Sequence, residues 1–147
     1  MAKIRLAIGC DHAGYTLKEL LKTWLEEMGF TIRDFGTYSD ESVDYPDFIH
    51  PVAKAVLKKQ YDYGIIICGT GNGAAITANK HKGIRAALCW QPELATLARQ
   101  HNNANIISLP ARFINFETAK HIVEKFLIAD FEGGRHQKRI DKIELTK

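Results

Sequence analysis

A chain of 147 residues fits one domain, long enough to bury about two thirds of its unfolded surface. Hydrophobic residues at 46% and charged residues at 25% are ordinary for a globular protein, and a net charge of +3 marks neither a nucleic-acid nor a membrane partner. Cys10, Cys68 and Cys89 are scattered without a CxxC pair, and no signal-peptide pattern opens the chain. Reduced thiols and a cytoplasmic location are therefore expected. The longest apolar run, Ile65-Ile66-Ile67-Cys68, is too short to span a bilayer.

In chain order, apolar runs of strand length alternate with helical patterns. A strand is predicted over Ile4–Gly9, followed by a helix in which Leu17, Leu20, Leu21, Trp24, Leu25 and Met28 keep a three-and-four spacing before Gly29. A second strand is expected over Thr31–Phe35. After Pro46-Asp47 the helical pattern returns at Ile49, Val52, Ala53, Val56 and Leu57. Tyr63–Cys68 reads as a third strand, followed by a short helix ending before Lys80-His81-Lys82-Gly83. Arg85–Cys89 and Asn105–Leu109 read as the fourth and fifth strands. Between them Pro92-Glu93 opens a helix to about Gln100. Phe116, Ala119, Val123, Phe126 and Leu127 mark a further helix, and a basic helix is expected from about Gln137 to the end.

Leu6-Ala7-Ile8 and Ile65-Ile66-Ile67 are apolar on consecutive residues, so their strands should be covered on both faces. Strand–helix alternation with short connections implies right-handed crossovers. The expected fold is a three-layer α/β/α, Rossmann-like single domain over residues 1–147 with a five-stranded parallel sheet. Ligands bind such sheets beyond the carboxyl ends of the strands. That edge should hold Asp11-His12 after the first strand, the loop after Cys68, and Arg112 after the fifth strand.

Gly69-Thr70-Gly71-Asn72-Gly73 places glycines on alternate positions between a buried strand and a helix. Backbone N–H groups there can converge on one point, which makes the loop an anion cradle. With Ala74 it also satisfies the G-x-G-x-x-A dinucleotide pattern, although on the third strand–helix turn rather than the first. A tight turn without a ligand is the plain alternative. Cys68 ends the strand feeding this loop. It is either an inert buried thiol or, facing a helix N-terminus that favours the thiolate, a general base or nucleophile. Asp11 reads as a helix cap that leaves one carboxylate oxygen for other work. His101-Asn102 follows the fourth helix and so lies at the amino edge of its own sheet. A catalytic His101 would have to serve a neighbouring subunit, and otherwise the segment is a surface loop. Arg135 and Arg139 are four apart and share one helix face. Two guanidinium forks there suit a phosphate, unless the face is merely solvated.

Gly9-Cys10-Asp11-His12-Ala13-Gly14, Asp44-Tyr45-Pro46, Ile67–Gly73, Ala78-Asn79-Lys80, Gly83-Ile84-Arg85-Ala86, Arg99-Gln100-His101-Asn102 and Glu132-Gly133-Gly134-Arg135-His136 occur in this order along nearly the whole chain. Together they resemble the type B ribose-5-phosphate isomerase family, which includes allose- and galactose-6-phosphate isomerases. The resemblance implies an aldose–ketose isomerase of the pentose phosphate pathway, with a small sugar phosphate as substrate and neither cofactor nor metal. It implies Cys68 as the base moving a proton between carbons 2 and 1 of the open-chain sugar. Thr70 and the N–H groups of Gly69, Gly71, Asn72 and Gly73 would hold the enediolate. His101 would open the ring, with Asp11 and Tyr45 beside the ring oxygen. His12, Arg112, Arg135 and Arg139 would take the phosphate and Asn102 a hydroxyl. It further implies a homodimer with shared active sites, the C-terminal basic helix (about 133–147) reaching the partner, with assembly into tetramers left open. The departure is Pro110, where the family usually has glycine before the arginine; it fixes φ, removes a donor and bears on the reach of Arg112.

The residues also admit rivals. A dinucleotide-binding protein would use Gly69-Thr70-Gly71 for the pyrophosphate and Glu93 for a ribose. A phosphate receiver would need an aspartate where Cys68 stands. A zinc site from Cys10, His12, Cys68 and Cys89 would draw on widely separated loops.

Overall fold

The computed structural model describes residues 3–145, and the last two residues assigned to the C-terminal basic segment lie outside that range. Strands β1 (Arg5–Cys10), β2 (Thr31–Asp34), β3 (Tyr63–Cys68), β4 (Ala86–Leu88) and β5 (Ile106–Pro110) form one sheet in the order β2-β1-β3-β5-β4. Every pairing is parallel. Helices α1 (Tyr15–Glu27), α2 (Pro46–Leu57), α3 (Asn72–Ala78), α4 (Pro92–Asn102), α5 (Phe116–Ile128) and α6 (Arg135–Ile140) complete the chain. The three-layer expectation holds. No described helix is long and apolar enough to cross a membrane.

Alternating strand residues feed two cores. Leu6, Ile8, Cys10, Ile65, Ile67, Ile107 and Leu109 pack against α1, α4 and α5. Ala7, Ile66, Cys68 and Ile106 face α2 and α3. The period of two in each strand therefore puts Cys68 on the α2/α3 side, although apolar residues run through both faces.

Beyond one-residue shifts at strand ends, three elements differ from expectation, the first being α4, which runs on through His101 to Asn102, residues expected in a loop after it. The strand expected over Arg85–Cys89 shrinks to Ala86–Leu88; at its start the Arg85 N–H is taken by the Asn105 side-chain oxygen at 2.9 Å, and the Arg85 guanidinium donates to the carbonyls of Asn102 and Asn103 at 2.9 and 3.0 Å. The last helix starts at Arg135 and ends at Ile140 rather than running from Gln137 onward. Pro110 closes β5 opposite Cys68. Ser108, two residues earlier, faces β4, its carbonyl accepting from Cys89 N–H at 3.0 Å. Pro110 shares that orientation beyond the last β4 residue, so its missing N–H removes no ladder bond.

Lys18 is buried completely beneath the segment that follows β2, a placement the sequence reading missed. Its Nζ donates to Asp34 and to the Thr37 carbonyl, each at 2.7 Å, and Lys22 reaches Asp34 at 2.9 Å. The signal was present: Lys18 stands three and seven residues before Leu21 and Leu25 on the buried helix face. Burial alone would raise the Asp34 carboxyl, but hydrogen bonds from Lys18, Lys22 and the Gly36 N–H outweigh it and hold the group below its ordinary range. Lys18→Met is expected to destabilise the fold by about 3 kcal/mol in a denaturant titration, since it leaves a largely buried carboxylate short of its partner. A depressed carboxyl stabilises the fold above its unfolded pKa, and that contribution disappears as pH falls through the folded value. The gap between Lys18→Met and the wild type should therefore begin to narrow as pH falls below ~4 and go on narrowing through the lower folded value; a gap that does not narrow as the pH is lowered would show that lost packing, not charge pairing, sets the cost.

Candidate active site

At the carboxyl edge, β1 ends in Cys10 and the chain turns at Asp11. Both the Ala13 and Gly14 N–H groups bind Asp11 Oδ1, at 3.0 and 3.2 Å. Oδ2 has no hydrogen-bond donor among the described residues, so the cap leaves half the carboxylate available. His12 accepts the Val43 N–H on Nδ1 at 3.1 Å. A backbone N–H can only donate, so the neutral ring carries its proton on Nε2 and presents a donor. The same bond ties the 35–45 segment to β1 and brings Tyr45 to the site.

The loop after β3 is built around Gly71, whose φ of +77° is left-handed. A side chain there would also place Cβ 2.4 Å from Leu88 Cδ1. The buried Ser108 hydroxyl donates to the Gly71 carbonyl at 2.7 Å, fixing the bend against β5. Asn72 N–H binds Thr70 Oγ1 at 3.2 Å, whereas the N–H groups of Gly69, Thr70 and Gly71 have no partner among the described residues. Gly73 lies beneath the Tyr45 ring, where an added Cβ would fall 2.5 Å from Cζ. Ala111 N–H donates to the Cys68 carbonyl at 2.9 Å and Arg112 N–H to the Gly69 carbonyl at 3.0 Å. Arg112 thus stays anchored to the loop despite Pro110, and its guanidinium lies against Gly69.

Cys68 is 4% exposed and sits at the edge of the α2/α3 core. Beside the loop a cavity of about 380 Å³ is lined by Thr70, Asn72, Leu88, Trp90, Pro110 and Phe113, and the Cys68 thiol is not among its lining. Trp90 and Phe113, which sequence reasoning passed over, are 52% and 72% exposed. Their exposure was not readable from local pattern, because large aromatics are ordinarily core residues. Cys10 and Cys89 are fully buried, and burial pushes both thiols up to about 12. The zinc arrangement from Cys10, His12, Cys68 and Cys89 does not assemble among the described residues.

The other candidates gather elsewhere. His101 and Asn102 close α4 at the amino edge, where Arg85 binds the Asn102 carbonyl and Asn105, just beyond, receives the Gly64 N–H at the start of β3. His101, Asn102 and Arg139 line a cavity of about 300 Å³ with His136, Ile140 and Ile143. Arg135 and Arg139 both lie exposed on α6. One chain therefore carries two partial sites, at opposite ends of strands about 17 Å long.

The model of the family described as Ribose/Galactose Isomerase matches residues 6–143. The chain belongs to the ribose/galactose isomerase family. Among family relatives, ribose-5-phosphate isomerase B of Escherichia coli (strain K12) is 47% identical over 139 residues, covering 95% of this chain and 93% of that protein. A crystal structure of a Thermotoga maritima ribose 5-phosphate isomerase aligns with a TM-score of 0.95 and 51% identity, over 97% of this chain and 98% of that one. The Mycoplasma genitalium ribose-5-phosphate isomerase B structure, with bound ribulose-5-phosphate, aligns with a TM-score of 0.92 and 47% identity, over 97% and 95% of the two chains. As a ribose/galactose isomerase, the chain is an enzyme whose reaction leaves the composition of its substrate unchanged. The dinucleotide-binder and receiver alternatives fall away.

Proposed function

We propose that this enzyme interconverts ribose 5-phosphate and ribulose 5-phosphate, in the cytoplasm and within the pentose phosphate pathway, as a single-domain protein that works as a homodimer. The observation that carries the reading is the run of unpartnered Gly69, Thr70 and Gly71 N–H groups directly after Cys68 at the end of β3. Its relatives' names and the ribulose-5-phosphate in the M. genitalium structure support the choice of a five-carbon substrate.

In this reading Cys68, as thiolate, takes the proton from carbon 2 of the open-chain aldose and returns it to carbon 1. Charge that builds on the oxygens of the enediolate meets the N–H groups of the 69–73 loop and the Thr70 hydroxyl. Donors preorganised in this way are worth roughly 3–4 kcal/mol each. His12 offers its Nε2–H and Arg112 its guanidinium to the phosphate, while the remaining Asp11 oxygen and Tyr45 face the ring oxygen. The complementary groups come from the partner: His101 to open the ring, Asn102 to hold a hydroxyl, Arg135 and Arg139 to complete the phosphate site. The amino-edge position of His101 supports this division, because within one chain it is a strand's length from the loop. Phosphate contacts remote from the reacting carbons hold the substrate against the base.

Turnover measured side by side on ribose 5-phosphate, allose 6-phosphate and galactose 6-phosphate tests the proposal. The five-carbon phosphate is expected to give the highest kcat/KM, and NAD is expected to leave the melting temperature unchanged. Faster turnover of a six-carbon phosphate would move the substrate assignment within the family.

A further inference from the structure

We propose that His101, Glu132 and His136 form a binding site for a divalent transition-metal ion of the zinc class. Glu132 Oε1 lies 3.3 Å from His136 Nε2 and 3.9 Å from His101 Nε2, and the three ligand atoms all fall within 4.8 Å of one another. The two imidazoles stack, with centroids 4.3 Å apart and planes 13° from parallel. That arrangement presents both Nε2 atoms to the same carboxylate.

His136 supplies an independent sign of a ligand. It is 7% exposed, yet its Nε2 makes no hydrogen bond among the described residues, Glu132 Oε1 at 3.3 Å being a charge contact alone. A buried ring nitrogen without a partner is costly unless something occupies it. Two imidazoles and a carboxylate are a recognised zinc set, and they leave a fourth position for water. Tetrahedral zinc at about 2.0–2.2 Å from N and O ligands needs those atoms about 3.3 Å apart. Closing on an ion requires the His101 ring to turn out of the stack, so that its in-plane lone pair converges with that of His136, and Glu132 to follow; the two moving side chains are 40% and 49% exposed. The backbone is already set, since Glu132 N–H binds the Gln100 carbonyl at 3.0 Å and so fixes the loop to the end of α4. Arg139 shares the cavity and opposes a cation; the Glu132 carboxylate offsets it.

Such an ion would occupy Nε2 of the residue proposed to open the sugar ring, making the metal a reversible inhibitor. That consequence rests on the proposed role of His101, whereas binding itself does not. The test is a titration of the full, tag-free chain, stripped with chelator, with Zn²⁺ by calorimetry and with Co²⁺ by visible absorption. One ion per chain is expected, with the intensified absorption of four-coordinate cobalt. His136→Asn and Glu132→Gln should each weaken binding by more than about tenfold. Cys68→Ala should bind as the wild type does. Glu132 is half-exposed, so its variant provides a second measurement should His136→Asn fold poorly. The proposal is overturned by the absence of binding, by affinity unchanged in both site variants, or by loss of binding in Cys68→Ala, which would assign the metal to the thiol. Because no substrate is present, an enzyme that fails to isomerise pentose phosphates leaves this result untouched.

Discussion

Replacing Cys68 with alanine is expected to lower isomerisation of ribose 5-phosphate by at least about 10²–10⁴-fold, the range that a positioned general base contributes. The effect should fall on kcat. His12 and Arg112, the groups proposed to take the phosphate, are untouched, so inorganic phosphate should still compete with labelled substrate analogues. Loss of one sulfur at the edge of the α2/α3 core removes little packing, and thermal unfolding should stay close to that of the wild type. Thiol chemistry offers a parallel readout. Cys10 and Cys89 have no exposure and thiols held near 12, so iodoacetamide should spare them. Labelling should fall on Cys68, the one thiol of the three with any exposure, and bound ribulose 5-phosphate should protect it. Appreciable turnover by the alanine variant would assign the base elsewhere.

The second large effect is a recovery. Cys68→Ala and His101→Asn should each be nearly inactive as pure proteins on ring-closed substrate. In a mixed dimer one site would inherit both defects and the other neither, provided that His101 reaches across the interface. An equal, fully exchanged mixture should then regain about one quarter of wild-type activity, since half the dimers are mixed and each has one intact site. With His101 acting within its own chain, every site would carry one defect and nothing would return. An open-chain substrate analogue adds a second arm: His101→Asn should process it far better than it processes ring-closed sugar.

Not every part of the site was equally legible. The Cys68–Gly73 loop could be read because a buried apolar strand ending in alternating glycines has few uses other than presenting backbone amides, and the parallel-sheet rule names the edge where they work. Asp11 as a cap followed from its place before a helix. Tyr45 was available only through resemblance. Nothing local predicts that a residue before α2 will lie over Gly73, because the contact is made by the 35–45 segment, held by the bond from Val43 to His12. Ser108 escaped notice for a similar reason. A serine in a strand is unremarkable until the fold sets it 2.7 Å from the Gly71 carbonyl, 37 residues earlier in the chain.

The pairing of His101 with Glu132 and His136 was also hidden. The His101–Asn102 and Glu132–His136 segments could each be noted as motifs, yet their convergence depends on α5 crossing the sheet and returning the chain to the end of α4. Lys18 is the opposite case. Its helical register assigned it to the buried face, and only the general expectation that lysines are solvated concealed it.

By itself the order of residues determined the element succession, the parallel sheet, the edge that holds the glycine loop, and the family. These rest on periodicity and short-range chemistry, which act between neighbours in the chain. The tertiary structure alone decided which side chains meet across long separations: Tyr45 over Gly73, Ser108 under Gly71, Lys18 beneath Asp34, and two histidines against one glutamate. The physical reason is that such contacts depend on where whole helices and strands come to rest after burying their apolar faces, a property of the packed molecule and not of any stretch within it.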